Sequence, residues 1–302
     1  MKDTLTVAGA QYPIDAVASL DAWRDKISAW VAEGAKTGAE LLVFPEYGAI
    51  EQAHALGPDI YGSLGATLEA VADLADERVA FHAELAQEHK VHILAGSGPA
   101  KLKDGRYVNA AHLVTPSGAI GVQHKLILTP FERDWNLTAG TEAAVFETSI
   151  GVIGVSICYD SEFPYFSRLM AAKGAEVVLV PQCTERISGY HRVRTGARAR
   201  ALENQIVTVT SPTIGDARWS AAVDVNTGAA GIFVPPEFGV SDDGIVAEGE
   251  INKPGWITAT VNLNHLRHLR YSGEMRNFAD WLDQPGAGQV ELRAPVKVYK
   301  LD

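Results

Sequence analysis

Two cysteines, three methionines and only 26 basic side chains are little for a chain of 302 residues. Two cysteines cannot build a disulfide framework or a four-thiolate metal site. Cys158 and Cys183 therefore read as free thiols in a reducing setting, the cytoplasm. Against 37 acidic residues the few lysines and arginines leave a formal charge of −11, which disfavours nucleic acid or an anionic membrane surface as a partner. No apolar run approaches the roughly 18 residues that a membrane span needs, and Met1 to Val7 lacks the apolar region of a signal peptide. Internal repeats, low-complexity tracts and an evident linker are missing as well. The economical division is one domain over residues 1–280 and a tail over 281–302 that packs on the surface or on a partner subunit.

What is present suits a substantial core: 47% of residues are hydrophobic and 21% charged. Apolar runs at 5–10, 40–44, 91–95, 150–158, 177–180 and 206–210 predict buried strands, the fourth ending on Cys158 and the fifth broken by Pro181. Residues 107–115 and 119–123 predict a hairpin turning at Pro116-Ser117-Gly118. Helical spacing marks 18–36, 165–173 and 190–204, and 67–90 as one long helix or two. Strands alternate with helices through the first two-thirds, so the fold class is α/β with helices covering sheet faces.

Three of these apolar segments end on a reactive side chain: Phe44-Pro45-Glu46, Gln123-His124-Lys125 and Ser156-Ile157-Cys158. Ligands of open α/β sheets bind where strand ends open into a crevice, so one pocket could hold a carboxylate, an ammonium and a thiol. The three are chemically complementary. A thiol near neutral pH needs a base, a carboxylate in a semi-apolar pocket has the raised pKa that suits one, and a fixed ammonium stabilises a thiolate or an oxyanion.

The sequence around these ends, L-L-V-F-P-E-Y at Glu46, H-K-L-I-L-T-P-F-E-R at Lys125 and V-S-I-C-Y-D-S-E-F-P at Cys158, resembles the nitrilase superfamily of carbon–nitrogen hydrolases. The resemblance covers roughly residues 4–262. It implies a four-layer α-β-β-α sandwich that pairs as a homodimer or higher homo-oligomer. It also implies Glu46 as general base, Lys125 and the Tyr159 N–H as oxyanion donors, Cys158 as nucleophile and Glu132 as a second, assisting glutamate. No metal or organic cofactor is implied. Tyr47, Phe131, Trp135, Tyr159 and Thr184 are the candidates for contacting substrate. The implied activity is hydrolysis of a small amide or N-carbamoyl compound through a Cys158 thioester, with a nitrile as the alternative substrate. A catalytically silent binding or scaffold protein on the same fold is the alternative from another class.

Plainer readings stand beside these. Cys158 could be a buried structural cysteine, Cys183 a bystander, Glu46 a solvated loop carboxylate and Lys125 a surface lysine. Glu132, flanked by Arg133 and Asp134, suits a salt-bridged loop. His124 and His191 suggest a Cys–His dyad, but His124 adjoins Lys125 on extended chain and should point the opposite way. The run of Arg192, Arg194, Arg198 and Arg200 is best explained as a helix solvated outside and ion-paired within, through Glu203.

Overall fold

The computed structural model describes residues 2–285, 287 and 296–302. Fourteen strands occur among them: β1 (Thr4–Pro13), β2 (Leu41–Val43), β3 (His92–Lys101), β4 (Tyr107–Val114), β5 (Ile120–His124), β6 (Ala143–Thr148), β7 (Gly151–Val155), β8 (Val177–Cys183), β9 (Val207–Asp216), β10 (Val225–Asn226), β11 (Gly231–Phe233), β12 (Ile245–Glu248), β13 (Gly255–Asn262) and β14 (Val296–Lys300). The helices are α1 (Leu20–Lys36), α2 (Glu51–Ala55), α3 (Pro58–Tyr61), α4 (Leu64–Asp73), α5 (Ala75–His89), α6 (Pro130–Asp134), α7 (Pro164–Ala172), α8 (Ile187–Asn204) and α9 (Leu263–Ser272).

The strand order β14-β6-β7-β8-β9-β1-β2-β3-β4-β5 is continuous, but it folds at β1. The body of β1 pairs with β2 and β13, and only Tyr12 and Pro13 reach β9. Two leaves result, and period-two alternation decides what each face meets. Leu5, Val7, Leu41, Val43 and Leu94 turn inward and share a core with Val145, Ile153 and Val155 of the other leaf. Their neighbours Ala8, Ala10, Leu42, Phe44 and Ile93 turn outward onto Trp23, Ile27 and Val31 of α1 and Val79 and Leu85 of α5. On the far side Met170 of α7 closes over Gly154, and the Thr208 hydroxyl donates to the Ala197 carbonyl of α8. Helix, sheet, sheet and helix are thus stacked in four layers, the α/β architecture the sequence predicts.

Two local expectations are corrected, and one left open is decided. The run 150–158 is not one strand: β7 stops at Val155, and Cys158 opens a 3-10 turn, Cys158–Glu162. The Asp160 carboxylate accepts the Ile157 N–H at 3.2 Å and so takes that donor out of the ladder. Pro181 does not break β8, which runs on to Cys183 beside β9. Pairing with β7 ends at Leu179, so proline's missing N–H falls where no neighbour needs it. Residues 67–90 lie in two helices, α4 and α5, that meet at Leu74.

Of the expected tail, residues 286 and 288–295 lie outside the described residues. Beyond them β14 pairs in parallel with β6, and Asp302 accepts from the Ser149 N–H (2.8 Å) and lies 3.1 Å from His92 Nε2. The described helices include none long and apolar enough to cross a membrane.

Candidate active site

Glu46 leaves β2 on a loop held against β3. The Ser97 N–H donates to the Pro45 carbonyl (3.1 Å), and the Tyr47 N–H to the Ser97 carbonyl (2.6 Å). That approach requires Gly96, whose φ is +75° and whose absent Cβ would stand 2.1 Å from the Pro45 oxygen. Lys125 follows β5, its N–H donating to the Asn109 carbonyl of β4 (2.8 Å) and its carbonyl accepting from Gly140 (2.7 Å). Glu132 is held by a capping box at the start of α6: the Glu132 N–H donates to Thr129 Oγ1 (3.3 Å), and the Thr129 N–H donates to Glu132 Oε2 (2.9 Å).

Cys158 sits at φ +46°, a left-handed conformation that costs a non-glycine residue about 1 kcal/mol or more. Its surroundings enforce it. The Ser161 hydroxyl donates to the Cys158 carbonyl (2.7 Å), and Arg200 of α8 donates to the Ser161 carbonyl (3.2 Å). Gly196 lets α8 approach, since a Cβ there would be 2.7 Å from the Ser161 oxygen. Asp160 links this turn to the neighbouring strand end by accepting from Leu126 (3.2 Å), Ile127 (2.7 Å) and Ile157 (3.2 Å).

These supports bring Glu46, Lys125, Glu132, Tyr47 and Cys158 together, none more than 5% exposed. The Lys125 ammonium lies 2.8 Å from Glu46 Oε1 and 2.7 Å from Glu132 Oε2. The Tyr47 hydroxyl donates to Glu132 Oε1 at 2.7 Å. The Cys183 N–H donates to Glu46 Oε2 at 3.0 Å, while the Cys183 carbonyl faces Cys158 Sγ at 3.8 Å.

Burial dominates the electrostatics. It pushes the Glu46 carboxyl above the usual carboxylate range, with Lys125 opposing and Glu132 reinforcing the shift. Burial also pushes on Glu132, but there the Lys125 charge and hydrogen bonds from Lys125, Asn109 and Thr129 prevail and hold it low. Burial weakens the hold of Lys125 on its proton; the two glutamates outweigh it and keep the ammonium charged. The Cys158 thiol is driven well up by burial and by Glu46, against Lys125. A buried thiol of this kind is protonated at rest and needs a base beside it. Glu46 is close enough for each group to bias the other's ionisation, and a carboxylate with a raised pKa has the chemical capacity of a base.

The remaining candidates are placed differently. Trp135 packs edge-on against the Tyr47 ring at 5.7 Å. The Tyr159 ring turns to Phe163, and its N–H has no acceptor among the described residues. The Thr184 hydroxyl is taken by the Thr227 carbonyl (2.7 Å), and Phe131 stands 66% exposed on the outside of α6. No Cys–His pair forms among the described residues. His191 is exposed, and His124 lines a separate cleft of about 330 Å³ with Arg106, Glu142 and Tyr299. The arginine run pairs with Glu162, Glu248 and Glu203. No group of three histidine, cysteine or acidic side chains that could hold a metal ion occurs among the described residues.

Sequence reasoning missed Asn109, Asp160, the Cys183 backbone and Thr213, whose hydroxyl donates to the Glu46 carbonyl. A polar Asn109 between Val108 and Ala110 in a buried strand is itself a signal, because a buried amide must find partners. Thr129-Pro130-Phe131-Glu132 likewise spells a capping box that removes Glu132 from a solvated loop.

The carbon-nitrogen hydrolase family model matches residues 6–271. A Bacillus subtilis protein named "Probable hydrolase YhcX" is 33% identical over 271 residues, 89% of this chain and 52% of its own length. "Omega-amidase NIT2-B" of Xenopus laevis is 27% identical over 146 residues, 45% of this chain and 52% of its own. The chain thus spans about half the length of these curated relatives. Among solved structures, Saccharomyces cerevisiae Nit3, a member of branch 10 of the nitrilase superfamily, superposes with a TM-score of 0.71 at 20% identity, covering 91% of this chain and 96% of that one. This last match concerns the fold.

Proposed function

The chain belongs to the carbon–nitrogen hydrolase family, and from that premise we propose that it hydrolyses a non-peptide C–N bond of a small amide or N-carbamoyl compound through a thioester on Cys158. The observation that carries this reading is the buried ring of Glu46, Lys125 and Glu132 beside a thiol too basic to ionise unaided.

In this reading Glu46 takes the Cys158 proton as the sulfur attacks the carbonyl carbon. The oxygen of the tetrahedral intermediate, now an anion, is held by the Lys125 ammonium and the Tyr159 N–H. The C–N bond breaks, the leaving nitrogen takes the proton from Glu46, and ammonia or an amine departs. Glu46 then deprotonates a water that attacks the thioester; the acid leaves, and the proton returns to the sulfur. Glu132 keeps Lys125 charged and directed, and its place after Lys125 favours an amide over a nitrile. The reading places the protein in a reducing compartment, the cytoplasm, as a homodimer or higher homo-oligomer; light scattering of the purified protein tests the latter.

The activity is tested by ammonia release over a panel of amides, carbamoyl compounds and nitriles. Turnover by the wild type that is lost in Cys158→Ala is the expected result. If nothing is turned over and iodoacetamide reacts with Cys158 no faster than with a free thiol, the reading fails in favour of a silent scaffold.

A further inference from the structure

Asn109 lies within β4, fully buried, and no step above uses its side chain. Its carboxamide nitrogen donates to Glu46 Oε1 at 2.9 Å and to Glu132 Oε1 at 3.0 Å. Its main-chain carbonyl accepts the Lys125 N–H. One residue therefore touches all three charged members of the site. Its own Oδ1 is buried with no donor among the described residues. The reverse orientation would set that oxygen against two carboxylates, so the amide's direction follows from their charge.

We propose that Asn109 is a positioning residue that clamps Glu46 and Glu132 through one carboxamide nitrogen and thereby favours the carboxylate form of Glu46 that takes the Cys158 proton. This rests on the reading of Glu46 as the base. The two glutamates depend on the clamp unequally. Glu132 also receives Lys125, the Tyr47 hydroxyl and both the N–H and the hydroxyl of Thr129. Among the described residues the Glu46 carboxylate has Lys125, the Cys183 N–H and the Cys158 thiol itself besides Asn109. Two carboxylates share a single ammonium, so losing a donor from the poorer one favours its protonated form.

The other groups facing this pair are Tyr47 on the Glu46 loop, Cys158 on the 3-10 turn and Cys183 at the end of β8, while Asp160 of the same turn acts on Lys125. On the β3 side Pro99 stands opposite Asn109, and its carbonyl is taken by Arg78 of α5 (3.4 Å). None of these can replace a lost donor to Glu46 Oε1 without leaving its own partner.

The test is the rate of Cys158 alkylation by iodoacetamide across pH, read by peptide mass so that Cys183 is scored separately. Asn109→Leu, close in shape but without a donor, is expected to move the acid limb up by about one pH unit. Within that limb alkylation then falls about tenfold, while the rate on the alkaline plateau changes far less. A uniform fall at every pH with the limb unmoved would show a structural role only and overturn the clamp. If Asn109→Leu does not fold by circular dichroism, Asn109→Ala, which adds no bulk, decides the same question. Glu46→Gln separates the two claims. If it alkylates like the wild type, the base reading fails and the clamp with it; if it is slowed while the Asn109 variants keep the limb in place, only the clamp fails.

Discussion

Glu46 and Glu132 lie on the same ammonium, yet their environments push them apart: Glu46 is held above and Glu132 below the ordinary carboxylate range. Paired carboxylates driven apart in this way divide into one that cycles a proton and one that stays charged. Activity is therefore expected to fall as pH drops through the raised pKa of Glu46, which a pH profile of kcat/KM measures. Glu46→Gln is expected to lower kcat by about 10²-fold or more. Burial is the main cause of the raised Glu46 pKa, and Glu132→Gln removes the charge that adds to it, so the acid limb should shift to lower pH, opposite in sign to the Asn109 variants. A profile that stays in place in Glu132→Gln would mean that the two carboxylates are not electrostatically coupled.

At the scale of elements, each reactive side chain is fixed by a device that lies outside its own strand. The Gly96 bulge seats the Glu46 loop, the Asn109 carbonyl seats Lys125, and Asp160 ties the Lys125 and Cys158 segments together. The five-residue α6 depends on its capping box, because a helix that short has little stability of its own. Thr129→Ala is expected to cost about 1 kcal/mol of stability. It should also lower kcat/KM, since Glu132 loses both a donor and its anchor. Thr129→Ser should restore both, and thermal melts beside steady-state kinetics would show whether it does.

Across the whole molecule the site forms where the two leaves join at the end of β1. Ser211 of β9 donates to the Ala10 carbonyl (2.8 Å), and Thr213 of β9 donates to the Glu46 carbonyl. Near the same joint is a buried charge the chemistry does not use. Glu51, on α2, is pushed up to about 7 by burial, against Lys26, the Tyr12 hydroxyl and the Asp15 N–H. A carboxyl with a raised folded pKa favours the fold while protonated. Its contribution is complete below the unfolded pKa and declines as pH rises to the folded value. Between about pH 4.5 and 7 the stability of Glu51→Gln relative to the wild type should therefore rise, by on the order of 3 kcal/mol, and then level off. Urea unfolding at several pH values measures it, and a flat difference would mean that Glu51 stays ionised throughout.

Much of this was legible locally. Period-two and helical apolar patterns mark the strands and the helices that cover them, because burial of one face is written residue by residue. The three strand ends at Glu46, Lys125 and Cys158 could be read from where apolar runs give way to polar residues. Which residues hold Glu46 could not. Those contacts join positions far apart in the chain: 63 residues from Asn109 to Glu46, and 137 from Cys183 to Glu46. Such pairings depend on which strands become neighbours. The same holds for Pro181, tolerated because β7 ends short of it, and for Cys158, held left-handed by Ser161, Arg200 and the closeness of α8. The sequence by itself determined the layers and the reactive side chains. Only the tertiary structure decided their partners, and thus which carboxylate is held above and which below the ordinary carboxylate range.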